Sequence, residues 1–251
     1  MIPFTPEDFF EVFRRYNVAV WPAQIALLAV AIGCTAAAYR AAAKSSAMAA
    51  RGSLVLLSML WLWTAFEYHR TFLASLTVSG RIFGSLFAAQ AALLLLTMWE
   101  KGTVDAAHRR AEIFIGTAII AYALIGYPAL GFLLGRRFPA MPTFGTPCPT
   151  TIFTLGIFCL LAPRIPRFAL AIPVLWAMIA SSAAYAFAVQ EDFGLPIAAI
   201  VTIVVVHQAA ATRRNANQVN ATPAVPMAMS WLMRMSWTRR CELRWSLAGP
   251  P

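Results

Sequence analysis

The chain has 251 residues, is 60% hydrophobic and only 12% charged, and carries a formal net charge of +10. A soluble domain holds roughly twice that charged fraction, so the composition excludes an ordinary soluble globular protein. The positive balance does not call for a nucleic-acid partner, because Lys and Arg here sit between apolar blocks, where they fix the orientation of membrane spans.

The first 17 residues hold five charges and no continuous apolar core, so no cleavable signal peptide is expected and the first span would serve as the insertion signal. Seven apolar blocks follow, at about 18–39, 52–68, 82–99, 113–134, 149–163, 167–189 and 195–211. Each is long enough, or nearly so, to cross about 30 Å of hydrocarbon at 1.5 Å per residue. Only helices suit them, since an open strand edge cannot sit in lipid. The expected fold is all-α: a polytopic transmembrane helix bundle of about seven spans over residues 1–211, with no repeat and no soluble domain.

Orientation follows from the basic residues. The connections after blocks 1, 3 and 5 and the C-terminal tail hold fourteen Lys and Arg, against six in the N-terminal arm and the remaining connections. With only Arg213 and Arg214 counted from the tail, the ratio is ten to six. The bias places the N-terminus outside and the C-terminus in the cytoplasm. Residues 212–251 read as a basic cytoplasmic tail: a polar, Pro-containing linker, then a Trp-, Met- and Arg-rich stretch that is disordered or lies on the membrane surface.

On this topology six of the ten acids face outward: Glu7, Asp8, Glu11, Glu67, Glu191 and Asp192. They share that side with Arg14, Arg15, Arg70, Arg81, Arg136, Arg137 and His69, as an ordinary solvated rim or as a polar site. Block 2 runs straight into Glu67, Tyr68, His69 and Arg70 before apolar residues resume. Either the span ends at Phe66 with an aromatic belt of Trp61, Trp63 and Tyr68, or the helix continues and carries its charges toward a cavity. In the second case Glu67 and Arg70, at i and i+3, can pair on one face.

Block 5 is the shortest. Its 15 residues between Pro149 and Pro163 would span about 22 Å, less than a full crossing. The segment before it, 138–147, is too rich in Pro and Gly to be helical. Pro149 suits a first helical position, with Thr146 or Cys148 as cap. The loop therefore either dips into the bundle, as in the broken helices of transporters, or the helix starts at the interface and the bilayer thins around it. A thiol at this helix start is a candidate nucleophile, with His69 or Glu67 as base. The candidate polar site is thus Glu67, His69, Arg70, Cys148, Thr150, Thr151, Glu191 and Asp192. Cys34 and Cys159 lie inside spans and Cys241 in the tail, so no disulfide is expected. The three histidines are far apart in sequence, and phosphate loops, dinucleotide fingerprints and lipase elbows are missing, so no metal or cofactor is expected.

Four stretches carry a resemblance: PFTPEDFFEVFRRYNVAVWPAQ at 3–24, IAYALIGYPALGFLLGRRFPAMPTFGTPCPTTIFTLG at 120–156, RIPRFALAIPVLWAMIASSAA at 164–184, and EDFGLP at 191–196. Together they resemble an uncharacterised family of bacterial multi-pass membrane proteins, domain of unknown function 6064, over about 3–211. The resemblance implies a small helical protein of a bacterial cytoplasmic (inner) membrane and brings no reaction, ligand or catalytic residue with it. Three functions remain: a small-molecule permease or channel-like protein with an outward-facing polar site; a sensor or scaffold without turnover; and a membrane enzyme using an outward Cys/His or Glu site. The lipid bilayer is the one certain partner implied; any small-molecule ligand and the oligomeric state stay open.

Overall fold

A computed structural model describes residues 5–98 and 110–221, apart from the side chains at 163, 213, 216, 217 and 219–221. The described chain is helical, with no strand. Helix α1, Pro6–Val20, starts at a capping box: the Thr5 hydroxyl accepts from the Asp8 N–H, and the Asp8 carboxylate accepts from the Thr5 N–H at 2.9 Å. α2 follows over Ala23–Lys44 and α3 over Ala47–Leu76. The rest are α4 (Ser79–Thr97), α5 (Arg110–Leu133), α6 (Pro147–Leu160), α7 (Ala171–Phe187) and α8 (Gly194–Ala221).

Six of these, α2 to α5, α7 and α8, are long and apolar enough to cross a membrane. Their outer faces support that use. Ile32, Ile82, Leu96, Phe114, Ile125, Met178 and Ile200 are all exposed, a belt of bare aliphatic and aromatic surface that water would not tolerate.

Block 5 is α6, and it differs in kind. Thirteen of its fourteen residues are buried, Cys148 being the exception. A helix that is apolar all round and touches no solvent is a core element. Its 14 residues are enough because it is surrounded by protein rather than lipid. Close approach to α5 comes from paired glycines: a Cβ on Gly156 would lie 2.9 Å from the Gly116 carbonyl oxygen, and one on Gly116 would lie 2.8 Å from that of Gly156.

The amphipathic α1, with Val12, Phe13, Tyr16, Asn17 and Val20 buried, forms ahead of the first apolar block. Two local expectations change. α6 begins at Pro147, two residues before the expected start, with Thr146 as a cap whose hydroxyl donates to the Thr143 carbonyl instead of capping. Residues 212–221, expected to open a linker, continue α8. The rest of the tail, including Cys241, lies outside the described residues.

Candidate functional site

The site sits where α1, the end of α3, the start of α4, the end of α5, the start of α6, α7 and the turn before α8 meet. It is built on irregular backbone. α3 does continue through the charged stretch, and it does so as a π-helix over Thr64–Leu73. A second π turn, Tyr122–Gly126, lies in α5 just before Tyr127. Such i→i+5 segments are rare and frequently mark functional positions. Both flank the same cavity.

The widened turn also revises the Glu67–Arg70 pairing. An i→i+5 helix rotates less per residue than an α-helix, so i and i+3 no longer share a face. Among the described residues no ion pair joins them; Arg70 is exposed, with its guanidinium 5.7 Å from the Phe66 ring. Glu67 is half-buried.

The segment before α6 enters the protein. Met141, Pro142, Phe144, Gly145 and Thr146 are buried. Irregular backbone in such a place needs partners for its carbonyls, and α1 supplies them. Asn17 donates to the carbonyls of Pro139 at 2.6 Å and Met141 at 2.7 Å, and its own side-chain oxygen accepts from Thr143. The Gly145 carbonyl accepts from the Tyr16 and Thr64 hydroxyls. Gly145 has φ +98°, and a Cβ there would lie 2.5 Å from Leu27, so only glycine fits.

Beyond this loop lies a cavity of about 360 Å³. Its wall is aromatic and aliphatic: Phe9, Phe13, Tyr68, Phe83, Trp176, Ile179 and Phe187. Its polar end is made of Asp192, Cys148, Tyr127 and Thr146. Phe9 stacks on Phe187 at 4.6 Å, which closes α1 over the cavity. Its open edge runs past Thr77, Ser79, Ser182 and Ala183, none of which is buried.

Glu191 and Asp192 fall in a short helical turn leading into α8. A rim was one reading of these acids, yet both are buried, at 0% and 4% exposure. The positive end of α8 favours their charge. Glu191 is matched: the Arg136 Nε lies 2.9 Å from its carboxylate, and the Arg136 guanidinium sits 4.5 Å over the Phe10 ring. The Tyr122 hydroxyl fixes the turn by donating to the Glu191 carbonyl at 2.7 Å. Asp192 accepts instead from the Tyr127 hydroxyl at 2.5 Å and lies beside the Cys148 thiol.

The thiol–histidine pair does not form. His69 is fully buried, with both ring nitrogens lacking a hydrogen-bond partner, among the rings of Phe87 (4.5 Å), Trp176 (5.3 Å) and Phe83 (5.9 Å). Cys148 lies next to Asp192 and the Trp176 indole. Thr151 donates back to the Pro147 carbonyl, and the buried Thr150 hydroxyl has no partner among the described residues. Of the eight candidates, Cys148 and Asp192 line the cavity and Glu191 supports Asp192 from behind. Glu67, His69, Arg70, Thr150 and Thr151 do not line it. Tyr127, Trp176 and Arg136 were missed as site residues. Cys34, Cys148 and Cys159 are free thiols, and no group of three or more potential metal ligands occurs among the described residues.

Residues 6–217 match a family described as one of unknown function, DUF6064. The chain belongs to that family. The match takes in α1, the buried loop, α6 and the EDFG turn, so the whole cavity lies within the family's span. No curated protein and no solved structure matches the chain.

Proposed function

We propose that this bundle is a membrane-embedded binding protein for a small amphipathic molecule, with a cavity of the permease type open on one side. The observation that carries it is the 360 Å³ cavity itself, apolar along its wall and polar at one end. Ligand sites characteristically combine a mostly apolar lining with a few convergent polar groups. Side chains fill the bundle below: Trp61, Phe153, Leu155 and Phe158 are fully buried around α6, which favours a one-sided pocket over a continuous channel. With the membrane read as a bacterial cytoplasmic one, the excess of Lys and Arg on the connections at the far end supports an outward-facing cavity. The enzyme reading is weakened, since His69 makes no hydrogen bond among the described residues and Glu67 does not line the cavity, and the scaffold reading rests on a tail largely outside the described residues.

Cys148 reports on occupancy. In a Cys34→Ala, Cys159→Ala, Cys241→Ala background it is the sole thiol. We expect N-ethylmaleimide to modify it. At least one of n-octanol, n-octylammonium and n-octanoate should slow that modification saturably, and Ala183→Trp, which fills the open edge, should remove the effect. If none of the three protects the thiol, the binding reading fails.

A further inference from the structure

We infer that the ligand is an organic cation: an ammonium head seated against Asp192, with its apolar body along the aromatic wall. This names the ligand class of the cavity proposed above and rests on that reading.

The first observation is the charge balance at the site. Two buried carboxylates, Glu191 and Asp192, stand side by side, and the partly buried Arg136 is committed to Glu191 at 2.9 Å. Among the described residues, the cavity lining contains Asp192 as its single acid and no Lys, Arg or His. A buried carboxylate without a counter-charge is costly, and a ligand cation supplies one. The Tyr127 hydroxyl on Oδ1 and the Cys148 thiol orient the carboxylate, whose two oxygens retain acceptor capacity for a ligand donor.

The second observation concerns the wall. Phe9, Phe13, Tyr68, Phe83, Trp176 and Phe187 line the cavity. Aromatic faces attract ammonium groups, by about 0.5–1 kcal/mol at exposed sites and about 2 when desolvated.

The third observation argues against an anion. α6 starts at the cavity, and a helix start ordinarily binds anions through its free N–H groups. Here Pro147 and Pro149 carry no N–H, so Cys148 is the one donor among the first three positions. The sequence PCP strips the helix end of the groups an anion would use, and Asp192 would repel one.

The probes are n-octylammonium, n-octanol and n-octanoate, equal in chain length and different in head charge. Their affinities for the full-length protein in nanodiscs are read from protection of the sole thiol Cys148 and from intrinsic tryptophan fluorescence. Octylammonium should bind at least about tenfold more tightly than octanol, and octanoate more weakly than either, as expected for a charge-assisted contact. Asp192→Asn should erase the preference for the amine and leave octanol binding within about twofold. Ala183→Trp, which keeps Asp192 in place, should abolish amine binding and serves if Asp192→Asn does not fold. Equal affinities for amine and alcohol, tighter binding of octanoate, or amine binding that survives Ala183→Trp would overturn the cation while leaving the cavity as an amphiphile site. Absence of saturable binding by all three overturns the binding reading itself.

Discussion

The two halves of α6 are both buried, apart from Cys148 at the upper end, and chemically opposite. Its lower half, from Leu155 on, packs dry: Leu155, Ile157, Phe158 and Leu160 are fully buried, and Gly156 lets α5 come within backbone contact. Its upper end is surrounded by polar groups brought from distant parts of the chain: Asn17 and Tyr16 from α1, Tyr127 from α5, Trp176 from α7 and Asp192 from the start of α8. The contrast teaches how a site can be kept open inside an apolar bundle. The lower half acts as a rigid socket through small-residue packing. The upper end keeps irregular backbone because Asn17, Tyr16 and Thr64 satisfy its carbonyls, and it keeps the buried Glu191 because Arg136 stands beside it.

The largest effect should come from breaking the buried ion pair at the upper end. Arg136→Ala leaves Glu191 fully buried without its counter-charge, which costs about 3–5 kcal/mol. Unfolding in mixed detergent should show that loss, and the cavity should fail with it. Arg136→Ala combined with Glu191→Gln should regain most of the stability, because the uncompensated charge is gone. A double variant no more stable than Arg136→Ala alone would show that Arg136 acts through its contacts with Phe10 and Ala188 and not through charge.

Gly156→Ala tests the lower half. The added Cβ would approach the Ile120 side chain to 2.7 Å and the Gly116 carbonyl to 2.9 Å, so α5 must move away from α6. Overpacking of this sort costs about 1–3 kcal/mol. The comparison sharpens if the loss appears in unfolding while Cys148 still reacts with N-ethylmaleimide at the wild-type rate. An altered Cys148 rate would mean that the two halves are mechanically coupled.

Much of this was legible in the sequence, for physical reasons that also explain what was not. Long apolar blocks make the spans readable, because lipid demands about 20 apolar residues for each. The brevity of block 5 and its Pro- and Gly-rich approach pointed to a special helix start, and two adjacent acids in so apolar a chain marked Glu191 and Asp192 as candidates. Block length, however, does not tell a core helix from a lipid-facing one, so α6 was counted with the spans. Tyr127 and Trp176 look like ordinary apolar members of their helices, since only the tertiary arrangement turns their hydroxyl and indole toward Asp192 and Cys148. Glu67 and Arg70 were paired by α-helical spacing, which the π-helix over Thr64–Leu73 cancels. The α1 stripe of Phe9, Phe13, Tyr16, Asn17 and Val20 recurs at three- and four-residue spacing, but five charges interrupt the segment and keep it out of the apolar blocks.

The smallest effect concerns how α1 begins, since α1 roofs the upper end and has no counterpart below. The Asp8 carboxyl is held below its usual pKa of 3.8, chiefly by the Thr5 backbone N–H and then by the Thr5 hydroxyl. A depressed folded-state pKa means that Asp8 stabilises the first turn fully at pH values above the unfolded pKa. The contribution is lost as pH falls from there through the folded value. Asp8→Asn should therefore weaken amide protection in the first turn of α1 at neutral pH, and wild type and variant should converge as pH drops through the low carboxylate range. The site is exposed, so the difference should be confined to that turn and leave protection of α6 unchanged. If protection around Cys148 also fell in Asp8→Asn at neutral pH, the roof and the helix start beneath it would open as one unit, and the capping box at Thr5 would control access to the cavity.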